Sequence, residues 1–464
     1  MSRREPPWIP PQGFAARYSS PIMDDRREIR LGALLAELSY ALDLAEGQAA
    51  GHALRACLIG MTLAERAGLG AAERSELYYA HLLKDAGCSS NASRIAALLE
   101  ADDQTVKRAL KLTDWTRFHD RLRYASRVVA PGAPAGERLK RLAMLARRPD
   151  TQSVFTRLRC ERGAEIAAGL GFPDGTSDAI RCLDEHWDGK GHPKGFKGEE
   201  IPRAARIMCL AQTVDVFMTA NGIHGAVGVA HERRGTWFEP ALVDLLDAEM
   251  LHALPVTHDE LEAAVTAHEP AELVLVGDDE RVGRVADAFA GLIDAKSPST
   301  AGHSHRVAAL VVAAADQLGE PAGRDVERAA LLHDIGKLSL SSRLLDKPGR
   351  LTPPEWAAVR AHPLHTERLL SRVAPLRPVA SIAAAHHERL HGSGYPHGLT
   401  GDELGLPARL LAVADVYEAI TAARPYRAPL RPAAAKAHLR DEAKAGRLDE
   451  DCVEALAASQ PARR

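Results

Sequence analysis

The chain has 464 residues, of which 59 are basic and 62 acidic, for a net charge of −3 with histidine neutral. That length exceeds one ordinary core and suits two domains of roughly 200 residues each. The near balance of charge excludes bulk recruitment to nucleic acid or to an anionic membrane, so any nucleotide binding is local and direct nucleic-acid binding is not expected.

Taken in chain order, residues 1–27 form an irregular Pro-rich arm around Trp8. From residue 28 onward apolar side chains recur at three and four spacing, as in Leu31, Leu34, Leu35 and Leu38, and again in Val307, Leu310, Val311 and Ala314. With 5% aromatic residues and few alternating β-branched runs, the pattern predicts an all-α protein. Leu273 to Val276 is the only tempting strand, and it falls in a stretch, 254–281, that reads as a linker because of Pro255, Pro270, Gly277 and the acidic run Asp278-Asp279-Glu280. The linker separates a first helical half, 28–253, from a second, 282–464, which ends in C-terminal helices. The six cysteines, Cys57, Cys88, Cys160, Cys182, Cys209 and Cys452, lack paired or CxxC spacing and read as buried free thiols. No apolar run approaches the roughly 20 residues of a membrane span, and the N-terminus offers no signal-peptide core, so a cytoplasmic protein is expected.

The halves are divergent copies of one another. Glu185, Gly189, Gly191 and Pro193 match Glu388, Gly392, Gly394 and Pro396, and Gly195, Gly198 and Arg206 match Gly398, Gly401 and Arg409, all at one offset (388 − 185 = 203). Upstream, His52 and Arg55 echo His303 and Arg306, and Leu82 to Gly87 echo Leu331 to Gly336, with a larger offset (334 − 85 = 249). The first copy therefore carries about 46 additional residues (249 − 203), an insertion near 90–150. Its basic residues Arg121, Arg123, Arg127, Arg138, Lys140 and Arg141 read as a solvated helical face.

Candidate chemistry is confined to the second copy. A lone His-Asp dipeptide means little, but His333-Asp334 has His303, His362, His386, His387 and Asp415 at spacings that helices can bring together. Imidazoles with a carboxylate able to bridge, and no cysteine among them, suit two divalent ions, iron or manganese before structural zinc. Asp334 is the natural bridge. Lys337 lies one turn further on and can neutralise a phosphoryl oxygen, as can Arg424 and Arg427. Gly394, Tyr395 and Pro396 form a loop that permits close approach of a phosphoester substrate and offers a ring to a base. In the first copy Lys84, Arg159, Leu183, Asp184 and Gln212 stand where the second has His333, His362, His386, His387 and Asp415. Lysine and arginine cannot ligate at neutral pH, so this copy reads as degenerate, with a structural or regulatory role. His305, His365, His391 and His397 read as exposed or supporting side chains.

With those motifs assembled, residues 285 to about 430 resemble the HD-GYP subfamily of HD-domain metal-dependent phosphohydrolases. The resemblance rests on His303, His333 to Lys337, Lys347 to Thr352, His362, His386 to Arg389, Gly392 to Pro396, Arg409, Asp415 and Arg424 to Arg427. It implies two tandem HD-type helical bundles, the second intact, and a phosphodiesterase that cleaves cyclic di-GMP to linear pGpG or GMP through a hydroxide activated by two metals, with Asp334 and Lys337 as catalytic residues. Ser299 stands where some members place a third-metal glutamate, so a two-metal centre is expected; His391 and Thr366 also depart from the usual Asp and Gly. The rival readings are another nucleotide substrate, a nucleotide sensor and a dinuclear iron oxygenase. Helical repeats of this kind are compatible with a homodimer.

Overall fold

The computed structural model describes residues 29–147, 151–271, 274–320, 322–373, 376–424 and 427–459; the arm with Trp8, Leu273, Pro425 and Tyr426 lie outside them. The chain divides into two compact units interleaved in sequence, one holding the described residues of 28–304 and 334–362, the other those of 305–333 and 363–464. Both are helical. Among the described residues, strand is confined to Ile29–Arg30, paired antiparallel with Val276–Gly277.

In the larger unit, helix Leu31–Ala45 buries Leu31, Leu34, Leu35 and Leu38, the stripe read from periodicity. Helix His52–Arg66 approaches helix Ala71–Leu83 closely at Gly60, where a Cβ would come within 2.1 Å of His81 Nε2. The thirty-residue helix Arg203–Glu232 starts after Pro202 and breaks its helical geometry at Gly222 (φ 76°). The insertion makes helices Ala92–Leu99, Asp103–Lys111, Phe118–Val128 and Ala135–Ala146 around a small core of Ile95, Val106, Val128 and Val129. It also grips the turn that follows Asp334. Gln104 Nε2 donates to the Leu338 carbonyl at 3.2 Å, and the Asp103 carboxylate accepts from the Ser342 amide at 2.8 Å. The stretch read as linker contains helix His258–Ala267, capped by the Thr257 hydroxyl on the Glu260 amide and burying Leu261 and Val265.

In the smaller unit, the central element is helix Leu406–Thr421, which is buried nearly all round and so must lie in a core. Leu411 and Val413, like Val311, Leu332, Leu370, Val379, Leu439 and Leu456 of the same unit, are at most 1% exposed. Truncating Leu411 to alanine is expected to cost about 2–5 kcal/mol. All six cysteines are buried and free, and among the described residues no helix is long and apolar enough to cross a membrane.

Candidate metal centre

The smaller unit gathers four of the sequence-predicted ligands. His333 closes helix Arg324–Leu332, and its Nδ1 lies 2.7 Å from the Ala330 carbonyl; His386, after helix Arg377–Ala384, has its Nδ1 2.6 Å from the Ala383 carbonyl. A ring whose Nδ1–H is given to a carbonyl presents Nε2 as a lone pair, the tautomer that ligates. The His333 and His386 rings meet edge to face at 4.8 Å, and His387 packs on His386 at 4.1 Å. Asp415, from the central helix, lies 3.8 Å from His333 Nε2 and 3.9 Å from His387 Nδ1. His333 and His386 are fully buried while His387 keeps a fifth of its side chain exposed, so the group has a dry side and a wet one.

The larger unit gathers the rest around Asp334. His303 Nε2 stands 3.4 Å from one carboxylate oxygen and His362 Nε2 3.2 Å from the other, with Lys337 Nζ 2.5 Å from the first. His362 repeats the device of the other two rings, its Nδ1 2.6 Å from the Val359 carbonyl, and burial lowers its pKa, which favours the neutral, ligating form. Oriented imidazole Nε2 atoms with the carboxylates of Asp334 and Asp415 are a donor set of the chemistry that divalent iron or manganese takes.

The Gly394-Tyr395-Pro396 loop is locked from beneath. A Cβ on Gly394 would fall 2.4 Å from Glu388 Cα, so only glycine fits. The Tyr395 amide donates to the His387 carbonyl at 3.2 Å, and the ring lies 4.7 Å from that of His387. Glu388, 1% exposed, accepts from the amides of His397 (2.7 Å), Gly398 (3.2 Å) and Leu399 (3.0 Å). Arg424 is drawn to Glu418 (3.3 Å), which also takes Arg306 Nε at 2.8 Å, while Arg427 donates to the Ala419 carbonyl at 2.7 Å. Those two arginines sit on the shoulder of the central helix, each already engaged.

Sequence reasoning missed the supports. Thr366 Oγ1 donates to the His333 carbonyl at 2.9 Å, giving the departure from glycine a positioning role; Glu388 was seen only as a repeat position with no role given, and Glu418 escaped notice, although both recur in the first copy as acids, Glu185 and Asp215. His305 and His391 are exposed, and His397 pairs with Glu367 at 2.8 Å.

The first copy repeats the scaffold without the ligands. Glu185 accepts from Lys194, Gly195 and Phe196 amides, each 203 residues before the partners of Glu388. Arg55 pairs with Asp215 at 2.5 Å as Arg306 pairs with Glu418. At the ligand positions, however, fixed cations appear. Lys84 and Lys111 (3.4 Å) both hold the Asp85 carboxylate, and Arg159 holds Asp184. Burial pushes the Asp85 pKa up, but Lys111 and Lys84 overcome it and hold the carboxyl well below its ordinary value. His52 gives its Nδ1 side to Asp215 at 2.6 Å, and burial with the nearby Lys84 charge lowers its pKa to about 4.

A family model for the HD domain matches residues 145–242 and 287–452, in both copies. The chain is 40% identical over 434 residues to the 3′3′-cGAMP-specific phosphodiesterase 3 of Vibrio cholerae, covering 92% of this chain and 94% of that one. A cyclic di-GMP phosphodiesterase of Pseudomonas aeruginosa is 36% identical over 247 residues, 50% of this chain and 55% of the relative. The crystal structure of a cyclic GMP-AMP specific phosphodiesterase of V. cholerae superposes with a TM-score of 0.64 at 35% identity, covering 93% of this chain and 98% of that chain. The all-α fold, the motifs and these likenesses agree: the chain belongs to the HD-domain family, as an HD-GYP metal-dependent phosphohydrolase.

Proposed function

We propose that the chain hydrolyses a phosphodiester of a cyclic dinucleotide, and that His303, His333, Asp334, His362, His386, His387 and Asp415 together hold two divalent ions. The reading rests on one observation. The donors of each unit gather on one residue of the His333-Asp334 pair, and the peptide bond between those residues keeps their Cα atoms ~3.8 Å apart. Two ions, when bound, supply Lewis acidity toward phosphoryl oxygens and lower the pKa of water. Asp334 serves as the shared ligand, and Lys337, already on its carboxylate, offsets charge that grows on the phosphoryl group. Gly394, Tyr395 and Pro396 admit the substrate backbone and offer a ring to a base; Arg424 and Arg427 take the second phosphate. The first copy, residues 28–253, keeps the scaffold and performs no hydrolysis.

The substrate we favour is 3′3′-cGAMP, because the relative that matches along almost the whole chain carries that specificity in its name. Cyclic di-GMP is the second reading, carried by relatives that match half of the chain or less. Neither choice is read from a base-contacting residue. A cytoplasmic homodimer suits this reading. The test is turnover of both nucleotides by purified protein loaded anaerobically with iron or manganese. Hydrolysis of 3′3′-cGAMP that disappears in Asp334→Ala is expected; cleavage of cyclic di-GMP alone would reverse the substrate order, and no cleavage of either would remove the reading.

A further inference from the structure

Away from the residues assigned above, the insertion and the end of helix Arg203–Glu232 enclose a cavity of about 300 Å³ within the larger unit. Its wall holds an unusual side chain. Arg233 is 4% exposed, yet its guanidinium makes no hydrogen bond or ion pair among the described residues, and its Nη1 is buried without a partner. What holds it is aromatic: the guanidinium carbon lies 4.0 Å from the Trp237 ring centre and 5.2 Å from that of Phe217. The backbone beneath is rigid, since the Arg233 carbonyl accepts from the amides of Thr236, Trp237 and Phe238 at 3.0–3.2 Å. The Asp114 and Glu232 carboxylates act on it only at a distance, and a buried guanidinium that no anion contacts directly is rare in proteins. Cation–π contact with the two rings recovers only part of the cost of burying that charge.

The rest of the wall indicates which anion. Arg123 and Arg127 reach the same cavity from helix Phe118–Val128, whereas Arg117 is already committed to Glu232 (2.5 Å) and Asp114 (3.3 Å). Four guanidiniums against the three carboxylates of Asp114, Asp120 and Glu232 leave one positive charge in excess. Planar guanidinium forks match phosphate, carboxylates accept sugar hydroxyls, and the Phe217 and Tyr124 rings offer flat apolar surface. The volume sits at the lower end of small-molecule sites, the size of one nucleotide rather than two.

We propose that this cavity binds a mononucleotide, with its phosphate on Arg233 and its mouth closed by Arg123 and Arg127. The cavity lining shares no residue with the proposed metal ligands, so the site needs no metal. The test is calorimetric titration of AMP, GMP and inorganic phosphate into the full-length protein stripped of metal with EDTA, which removes anion binding by metal ions. One mononucleotide per chain is expected, bound at least tenfold more weakly by Arg233→Met and more tightly than inorganic phosphate. Without ligand, Arg233→Met is expected to melt at or above the wild-type temperature, because an apolar chain of similar length replaces a buried charge packed on two rings; its metal-loaded hydrolysis is expected to be unchanged. If Arg233→Met fails to fold, the exposed double variant Arg123→Ala/Arg127→Ala takes its place, with an expected loss of about threefold or more. Absence of nucleotide binding to the wild type, equal affinity for phosphate alone, or affinity unmoved by either variant would overturn the proposal.

Discussion

Asp85 and Asp334 occupy one position in two copies of the same scaffold, and their neighbours differ: ammonium groups hold the first carboxylate, and imidazoles face the second. Around Asp334 stand the imidazoles of His303 and His362, which carry no fixed charge, and one ammonium, Lys337. Around Asp85 stand Lys84 and Lys111, fixed cations that consume its charge internally. The loops beneath are stapled alike, by Glu185 and by Glu388. The same scaffold thus persists where ammonium groups, rather than imidazoles, neutralise its buried carboxylate.

The largest contrast is expected from the same substitution in each copy. Asp334→Ala should reduce turnover by at least about 10³-fold by removing the shared ligand, with little loss of stability once Lys337 swings to solvent. Asp85→Ala should leave the hydrolysis rate per folded molecule within a few-fold of wild type, but cost about 3–5 kcal/mol in urea unfolding, because buried Lys84 loses its partner. A large rate loss in Asp85→Ala with an unchanged urea midpoint would erase the contrast. A sharper form is the pair Lys84→Met with Asp85→Leu. Apolar groups of similar volume should bring stability back to within about 1–2 kcal/mol of wild type, or above it, since Lys111 retains Glu46 at 3.5 Å.

Next in size is a pH effect confined to the first copy. Asp43 is fully buried; burial raises its pKa to about 7 against Lys84, which lowers it. A carboxyl whose folded pKa is raised adds stability that is present below its unfolded value near 3.8 and is lost as pH rises through the folded value near 7. Asp43→Asn keeps the acceptor for the Ala53 amide, so between pH 4 and 7 the wild type should lose more stability than the variant, on the order of a few kcal/mol. Parallel urea midpoints of the two proteins across that window would show that Asp43 stays ionised. The smallest effects compare the staples. Glu388→Gln and Glu185→Gln should each cost about 1–3 kcal/mol, since one amide oxygen cannot take three backbone donors. Only Glu388→Gln should also lower kcat, through displacement of the Tyr395 loop; equal kcat losses in both would make the first copy part of the catalytic machinery.

Much of this was legible in the chain. The three and four spacing of Leu31 to Leu38 and of Val307 to Ala314 gave helices whose apolar residues are indeed buried, because a helix can bury such a stripe in only one way. The histidines could be singled out since few other roles require His333, His386 and His387 beside carboxylates in an apolar setting. What sequence could not supply was support built from backbone. The carbonyls of Ala330, Val359 and Ala383 that orient three imidazoles carry no side-chain signature, and neither do the amides on Glu388. Nor could spacing alone reveal that insertion residues Asp103 and Gln104 tie down the turn after Asp334, a pairing of segments more than 230 positions apart. The aromatic packing of Arg233 is likewise invisible until Phe217 and Trp237 are seen against it.

The most direct test of the contrast between the copies is a metal count per chain, by elemental analysis of protein reconstituted with manganese or iron, for wild type, Asp334→Ala and Asp85→Ala. The expected result is two ions in wild type and in Asp85→Ala, with at least one lost in Asp334→Ala. Two ions retained in Asp334→Ala, or ions lost in Asp85→Ala, would contradict the assignment of the metals to the second copy.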